Sequence, residues 1–296
     1  MTNITSQTIE KIITDFIQTS PENTMRMDPD EPSWEEALVG FSSGNDPVFE
    51  SFKEHVGEFH FTPEEIFNLE YPEKKAEAEE LTVISWILPH RDATKKDNRK
   101  EDFYPAARWV MARFPGEAFN VALRKHVAQS LIDFGVDAMV PTLSSHWKML
   151  IDPKTSYTST WSERHAAYAS GLGTFGLCDG LITPKGKAHR AGSVIAKMKL
   201  EPTPRPYDNH RAYCLYFFDG SCESCAKRCP ADAIAGGRHD KKICYDHAVG
   251  TCGKYVEENF DLSSSEYGLL YGCGLCQTKV PCESGIPKKI LRNILD

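Results

Sequence analysis

The sequence predicts an α+β (α/β) protein in which a layered helix-and-strand domain is followed by a small domain rich in cysteine. Residues 81–88 form a short apolar run that is typical of a buried strand. Residues 116–134 carry apolar side chains along one helical face, and another apolar run follows at 136–140. All of the chain's 10 cysteines except Cys178 lie in its last third.

The first segment, residues 1–80, is predicted to be a helical and irregular cap. Its amphipathic helix has isoleucine and phenylalanine at helical spacing after Ser6 and stops before Pro21. Residues 22–63 are rich in Pro, Gly, Ser and Asp, with scattered aromatic residues. We expect this stretch to be irregular with short helices, and to cover a surface rather than form a core.

The second segment, residues 81–200, is predicted to be the layered domain. Its first strand ends at Pro89, and its helix is closed by Gly135 at a position where glycine is favoured. Because strand, helix and strand follow one another, we expect a layered α/β architecture. The third segment, residues 207–296, is the cysteine-rich domain.

Composition and charge disfavour two classes of protein. The formal net charge of -8 argues against a general nucleic-acid binder, which would carry a basic face. No apolar run approaches the ~20 residues of a membrane helix. No signal peptide or twin-arginine leader is apparent in the sequence, so we expect a cytoplasmic protein.

The cysteine spacing is the strongest chemical signal in the chain. The run from Cys222 to Pro230 reads C-x2-C-x3-C-P, the closing part of the bacterial ferredoxin motif. A structural zinc site also uses C-x2-C pairs, but the C-x3-C-P that follows is unusual for zinc. A disulfide framework is less favoured because the cysteines crowd into one end. Two [4Fe-4S] clusters take four cysteines each, and the candidates are Cys214, Cys222, Cys225, Cys229, Cys244, Cys273, Cys276 and Cys282.

A glycine-rich stretch is the second specific signal. Thr160 to Glu163 fits a capping box, which predicts the start of a helix. The helix ends at three glycines, where the backbone can approach a flat or anionic group closely. Because this Gly-x-Gly-x-x-Gly pattern closes a helix instead of opening one, it argues against a dinucleotide fingerprint. Cys178 follows the glycines and is interpreted as a buried small residue.

These motifs, in this order, resemble the family that contains the epoxyqueuosine reductases and the corrinoid-dependent reductive dehalogenases. The resemblance covers roughly residues 80–290 and is strongest from residue 157 onward. The matching positions are Glu163, Ser170–Gly173 with Gly176, Leu181–Pro184, Cys222–Pro230, Cys244 and Tyr271–Cys276.

The resemblance implies a flavin-reductase-like α/β domain that holds cobalamin, followed by a ferredoxin-like domain with two [4Fe-4S] clusters. Asp219 stands where the family has one further cysteine. The substitute ligand would be Cys214, reached by a longer loop, with Cys252 as the competitor. Carried over by position, one cluster would be held by Cys222, Cys225 and Cys282, and the other by Cys229, Cys244, Cys273 and Cys276.

The resemblance also implies site residues in the α/β domain. Epoxyqueuosine reductases have a proton-donating Asp at the position of Tyr157, whereas a tyrosine donor is similar to that of the dehalogenases. A phenol has a reference pKa of about 10, so it would need nearby cations, for which Lys148, Lys154 and Arg164 are candidates. A surface tyrosine is the alternative. The corrin-facing surface would comprise Gly171, Gly173, Gly176, Leu181, Ile182, Thr183 and Gly192.

The resemblance therefore predicts an oxidoreductase, a cobalamin-dependent iron–sulfur reductase of a small organic substrate. Its electrons would come from an external low-potential donor of the ferredoxin or flavodoxin type. A tRNA substrate is disfavoured by the acidic charge and by Tyr157. Two alternatives stay open: an electron-transfer module that docks on a redox partner without a catalytic pocket of its own, and a flavin in place of cobalamin.

Overall fold

The computed structural model describes residues 4–153 and 155–295 of the chain. A π-helix spans Asp246–Thr251, and 3-10 turns span Ala78–Glu80, Pro141–Leu143 and Leu275–Gln277. The strands are β1 Leu38–Ser43, β2 Thr82–Pro89, β3 Ala138–Met139, β4 Met149–Asp152, β5 Ser156–Ser159, β6 Thr174–Phe175, β7 Leu181–Ile182, β8 His189–Ala196, β9 Ile234–Ala235 and β10 Arg238–His239. The α-helices are α1 Ser6–Thr19, α2 Val48–His55, α3 Pro63–Glu70, α4 Asp92–Asn98, α5 Ala107–Arg113, α6 Pro115–Asp133, α7 Glu163–Ala169, α8 Leu215–Asp219, α9 Ser224–Lys227, α10 Lys241–Tyr245, α11 Cys252–Asn259, α12 Ser264–Tyr267 and α13 Lys288–Leu295.

The central sheet has the strand order β1-β2-β8-β3, and each neighbouring pair is antiparallel. All eight residues of β2 are buried. This pattern arises because β2 is an inner strand that is covered on both faces, and such strands read as continuous apolar runs. The predicted strand at 81–88 and the predicted helix at 116–134 are both confirmed to within a residue or two.

Helices cover both faces of this sheet, so the fold has mixed helix and sheet in three layers. Ile84, Trp86 and Leu88 alternate along β2 and pack with the apolar faces of α1, α5 and α6. Val83 points to the other face, where it packs with Ile195 and the side chains of α2, α3 and α7. Buried apolar side chains therefore pack on both faces of the sheet.

The sequence-based prediction of an irregular cover for residues 22–63 is wrong at β1. Leu38–Ser43 pair with β2 along their whole length, so they extend the central sheet. The strand was missed because glycine and serine have low strand propensity. Gly40 is needed by packing, since a Cβ there would lie 2.3 Å from the Ser170 carbonyl oxygen.

The cysteine-rich end is built of short helices and packs directly against the sheet-containing part. Arg228 donates to the carbonyl groups of Asn98 and Glu101, which follow α4 or end it. Arg99 forms an ion pair with Glu283, and this carboxylate also accepts from a backbone amide nearby. Within the described residues, no helix combines the length and the apolar character needed to cross a membrane.

A buried charge network joins α6 to β8 and α7. Arg124 lies 2.9 Å from the Glu117 carboxylate and 3.1 Å from the Glu163 carboxylate, and it donates to the Ala191 carbonyl. Ser193 donates to the other oxygen of Glu163. Burial raises the pKa of Glu163, although Arg124 opposes that effect. Both carboxylates therefore share the Arg124 guanidinium, and Glu117 also lies 3.7 Å from the Arg190 guanidinium.

We expect Arg124→Met to lower the free energy of unfolding by about 3–5 kcal/mol, because it leaves the largely buried Glu163 carboxylate without its cation and removes the closer of the two guanidinium groups at Glu117. Urea unfolding measures the change. Lys125→Met, at the exposed neighbouring position on α6, is the control and should be near neutral. Equal unfolding midpoints for the two variants would contradict the prediction.

Candidate metal and redox site

Four cysteines from separate segments line one pocket, and we call them the first cysteine group: Cys214, Cys222, Cys225 and Cys282. Cys214 precedes α8, Cys222 and Cys225 flank the start of α9, and Cys282 follows the last 3-10 turn. The sequence left Cys214 and Cys252 as competitors for the fourth place in this group. The structure puts Cys214 in the pocket lining and Cys252 elsewhere.

Residues 183–186 form a turn of the α/β part that packs against the loop carrying Cys282. The Lys187 amide donates to the Cys282 carbonyl at 2.9 Å, and the Ala188 amide donates to the Glu283 carbonyl at 3.3 Å. Gly186 has φ +86, and a Cβ there would lie 2.1 Å from the Glu283 carbonyl oxygen. The pocket is therefore completed by both halves of the molecule.

Lys187 places a buried ammonium beside a thiol that the sequence analysis left without a role. Its Nζ lies 3.1 Å from the Cys178 Sγ, and both side chains are buried. Interactions with the Cys225 and Cys276 thiols hold the pKa of Cys178 well below its usual value. Burial lowers the pKa of Lys187, but the surrounding thiols outweigh burial and raise it above its ordinary value. Cys178 is thus buried, as predicted, but it also belongs to a charged pair.

A second set of donor atoms comes together around Cys273. The ligand atoms of His247, Cys252 and Cys273 all lie within 4.8 Å of one another. The sequence grouped Cys273 with Cys276, Cys229 and Cys244 instead. In the structure the Cys276 thiol interacts most strongly with Cys178, Cys229 accepts from the Ala233 amide, and Cys244 interacts with His239.

The glycines of the predicted corrin-facing surface are packed against the protein itself. A Cβ on Gly173 would lie 2.2 Å from the Ile182 carbonyl oxygen, and one on Gly192 would lie 2.6 Å from the Trp86 ring. Close backbone approach is therefore required, but the partner is the protein's own chain. The same holds for Gly171, against the Pro204 carbonyl, and for Gly176, against the Ile182 side chain, while Leu181, Ile182 and Thr183 are fully buried.

Tyr157 lies on β5, opposite Ile151 in a two-stranded hairpin. Its ring stacks on that of Tyr245, with 3.7 Å between the ring centroids and 8° between the planes. Lys242, a cation absent from the sequence-based candidates, has an electrostatic interaction with Tyr157, but its ammonium pairs with Asp246 at 2.6 Å. Arg164 donates to the Asp179 carbonyl, Lys148 is exposed, and Lys154 lies outside the described residues.

The predicted capping box at the start of α7 is wrong. Ser162 is the N-cap residue, and no side chain caps the helix. The Thr160 hydroxyl accepts from the Lys148 amide instead, and Glu163 turns into the charge network with Arg124. A buried cation competed for the carboxylate that the box required, and the sequence pattern does not reveal such a partner.

The fold and the cysteine site together define a mixed helix-and-sheet protein with a thiol-lined site at one end. No family model matches the chain, and no curated protein matches it. The similar solved structures are reductases of the two kinds that the sequence resembles. An epoxyqueuosine reductase from Streptococcus thermophilus is 18% identical, with a TM-score of 0.46 over 83% of this chain and 62% of that chain.

Two further solved structures carry a bound molecule. An epoxyqueuosine reductase with an epoxyqueuosine-modified tRNA-Tyr stem loop is 17% identical, with a TM-score of 0.46 over 97% of this chain and 69% of that chain. The catabolic reductive dehalogenase NpRdhA with 3-bromo-4-hydroxybenzoic acid is 14% identical, with a TM-score of 0.47 over 98% and 38%. The chain thus spans less than two thirds of the Streptococcus reductase and of the dehalogenase.

We expect Gly173→Ala to destabilise the protein by about 1–3 kcal/mol, because its Cβ would overlap the Ile182 carbonyl. Gly180→Ala is the matched control in the same stretch, since a Cβ there meets its neighbours at 3.4 Å or more. Thermal unfolding without any added cofactor measures both. A Gly173→Ala protein as stable as the control would show that this glycine faces open space.

We expect Lys187 and Cys178 to be energetically coupled, because each compensates the buried charge of the other. A double-mutant cycle of Lys187→Met and Cys178→Ala should give a coupling free energy of about 0.5–3 kcal/mol in urea unfolding. Lys185→Met is the control on the same turn, since its ammonium bonds at the surface to the Glu36 carbonyl. If the changes in unfolding free energy of Lys187→Met and Cys178→Ala were additive in the double variant, the two side chains would not be coupled.

Proposed function

We propose that this chain is an iron–sulfur oxidoreductase whose first [4Fe-4S] cluster is held by the first cysteine group. The observation that carries the proposal is the convergence of four thiols on one pocket. Cysteine thiolates are the ordinary ligands of such clusters, so the donor set fits the group. Lys187 supplies a buried positive charge beside these thiols, which offsets the negative charge that thiolates and sulfide bring.

The second cluster of the proposal uses Cys229, Cys244, Cys273 and Cys276, on the sequence resemblance. Its support in the structure concerns Cys276, whose thiol interacts with both Cys178 and Cys273. Cys178 also interacts with Cys225 of the first cysteine group. These interactions link Cys276 of the second set to the first cysteine group through Cys178.

The finer part of the proposal is that a corrinoid accepts these electrons, as in a reductase similar to the dehalogenases or the epoxyqueuosine reductases. When bound, a corrinoid would supply the bond-breaking chemistry. On the Cβ side of Gly173 and Gly192, protein atoms occupy the space. The proposal therefore rests on the resemblance and assigns no contact to these glycines.

Tyr157 is proposed to be the residue that donates a proton to the substrate. The stack with Tyr245 limits the rotation of its ring. The substrate class is a small organic molecule, and the electrons are proposed to come from an external ferredoxin or flavodoxin.

A second candidate function is an electron-transfer module that docks on a redox partner. One observation favours it: in the segment 171–192, Leu181, Ile182 and Thr183 are fully buried, and a Cβ on Gly173 or Gly192 would overlap other protein atoms. Both candidates need the first cysteine group, but only the reductase needs a corrinoid. Binding of a corrinoid therefore distinguishes the reductase from the electron-transfer module.

We expect the anaerobically reconstituted protein to contain about four iron atoms per cluster and to retain added hydroxocobalamin through gel filtration. Absorption spectra and iron and sulfide analysis measure both. Cys282→Ala should lose one cluster, whereas Ser284→Ala, its exposed neighbour, should keep both. A protein that holds clusters but no corrinoid is the electron-transfer module, and one that holds no cluster refutes both candidates.

A further inference from the structure

The helix that runs from α10 to α11 contains one irregular turn, and that turn carries a histidine and ends at a cysteine. Asp246–Thr251 form a π-helix between two α-helical parts. His247 and Cys252 are five residues apart, which in an α-helix would place them about 140° apart around the axis. A π-helix closes its hydrogen bonds from i to i+5, so it brings the two side chains to the same side.

The two side chains meet a third donor from another part of the chain. The Cys252 Sγ lies 3.3 Å from the His247 Nε2. Cys273, which lies just before the last 3-10 turn, completes the set, and all three ligand atoms lie within 4.8 Å of one another. Cys252 is fully buried, while His247 and Cys273 are half-buried. The donor set is therefore buried at Cys252 and accessible to an ion from the side of His247 and Cys273.

The imidazole is held in the orientation that a ligand needs. While Nε2 faces the Cys252 thiol, the ring packs edge-on against the Phe103 ring, with 5.2 Å between the ring centroids. This contact comes from the sheet-containing part, so the donor set is supported from outside its own helix.

We propose that His247, Cys252 and Cys273 form a site for a single thiophilic divalent ion such as Zn²⁺. Zinc binds cysteine sulfur at about 2.3 Å and histidine nitrogen at about 2.0–2.1 Å in tetrahedral geometry. Donors at those radii lie roughly 3.5–3.8 Å from one another, which agrees with the close spacing seen here. Two cysteines and one histidine leave the fourth position open to water or another donor.

The compact spacing separates this site from a [4Fe-4S] cluster. A cube of four irons and four sulfides holds its thiolates on outer corners, well apart from one another, whereas these three donors surround one point. Cys273 belongs to both sets, because the proposed second cluster also requires it. The single-ion site and the second cluster are therefore alternative states of the same end of the chain. Cys252 and His247 are ligands of the single-ion site only.

Cobalt(II) is the probe, since tetrahedral thiolate coordination gives it strong visible and charge-transfer absorption. Metal-free, full-length protein is titrated anaerobically with Co²⁺ alone. We expect one binding component from the first cysteine group and a separate one from the proposed site. Cys252→Ser should abolish only the separate component, and His247→Gln should weaken it at least about tenfold. Cys222→Ser, in the first cysteine group, should remove only the other component.

Iron reconstitution of the same variants distinguishes this site from the proposed clusters. Cys252→Ser should retain the wild-type iron and sulfide content, because Cys252 is not a cluster ligand in the proposal. A Co²⁺ titration unchanged by Cys252→Ser and His247→Gln would overturn the site, and so would a loss of iron in Cys252→Ser, which would make Cys252 a cluster ligand. If Cys252→Ser does not fold, as judged by circular dichroism, the half-exposed His247→Gln decides alone. Failure of wild type to take up iron would refute the proposed function and leave the Co²⁺ result standing.

Discussion

The contact between the Lys187 ammonium and the Cys178 thiol is the constraint on which the cysteine end depends. Both residues belong to the α/β part, yet both lie among thiols of the following part. A charge buried this deeply persists only beside a partner. The Lys187 and Ala188 amides also donate to the carbonyls of Cys282 and Glu283, which holds the turn at 183–186 against that loop. The pocket of the cysteine end is incomplete without the sheet-containing part. The cysteine end is therefore not an independent module.

The elements that the sequence predicted well are those whose signal is local and periodic. The central strand β2 and the helix α6 follow from their apolar patterns, and the ferredoxin-like run follows from its spacing. Strand β1 was missed because Gly40 and two serines interrupt its apolar residues and its pairing is supplied by β2. The failed capping box has a similar cause, since Glu163 is taken by a buried arginine from a distant helix.

The site could be predicted only where the ligands are close in sequence. The C-x2-C-x3-C-P run identifies the thiols, but Lys187 carries no pattern of its own, and its partner Cys178 resembles any buried cysteine. Cys252 was considered only as a substitute for Asp219. Its pairing with His247 could not be foreseen, because a spacing of five residues faces one side only in a π-helix, and sequence periodicity assumes 3.6 residues per turn. Lys242 was missed beside Tyr157 for another reason: the contact crosses from β5 to α10.

The glycines show how one sequence signal can have two physical causes. A glycine needed for close approach to a cofactor and one needed for close approach to the backbone have the same pattern, because both exclude a Cβ. Here the atoms next to Gly173 and Gly192 are a carbonyl oxygen and an indole ring of the protein. The choice between a reductase and an electron-transfer module therefore turns on space for a cofactor, whereas the thiols of the first cysteine group serve either function equally.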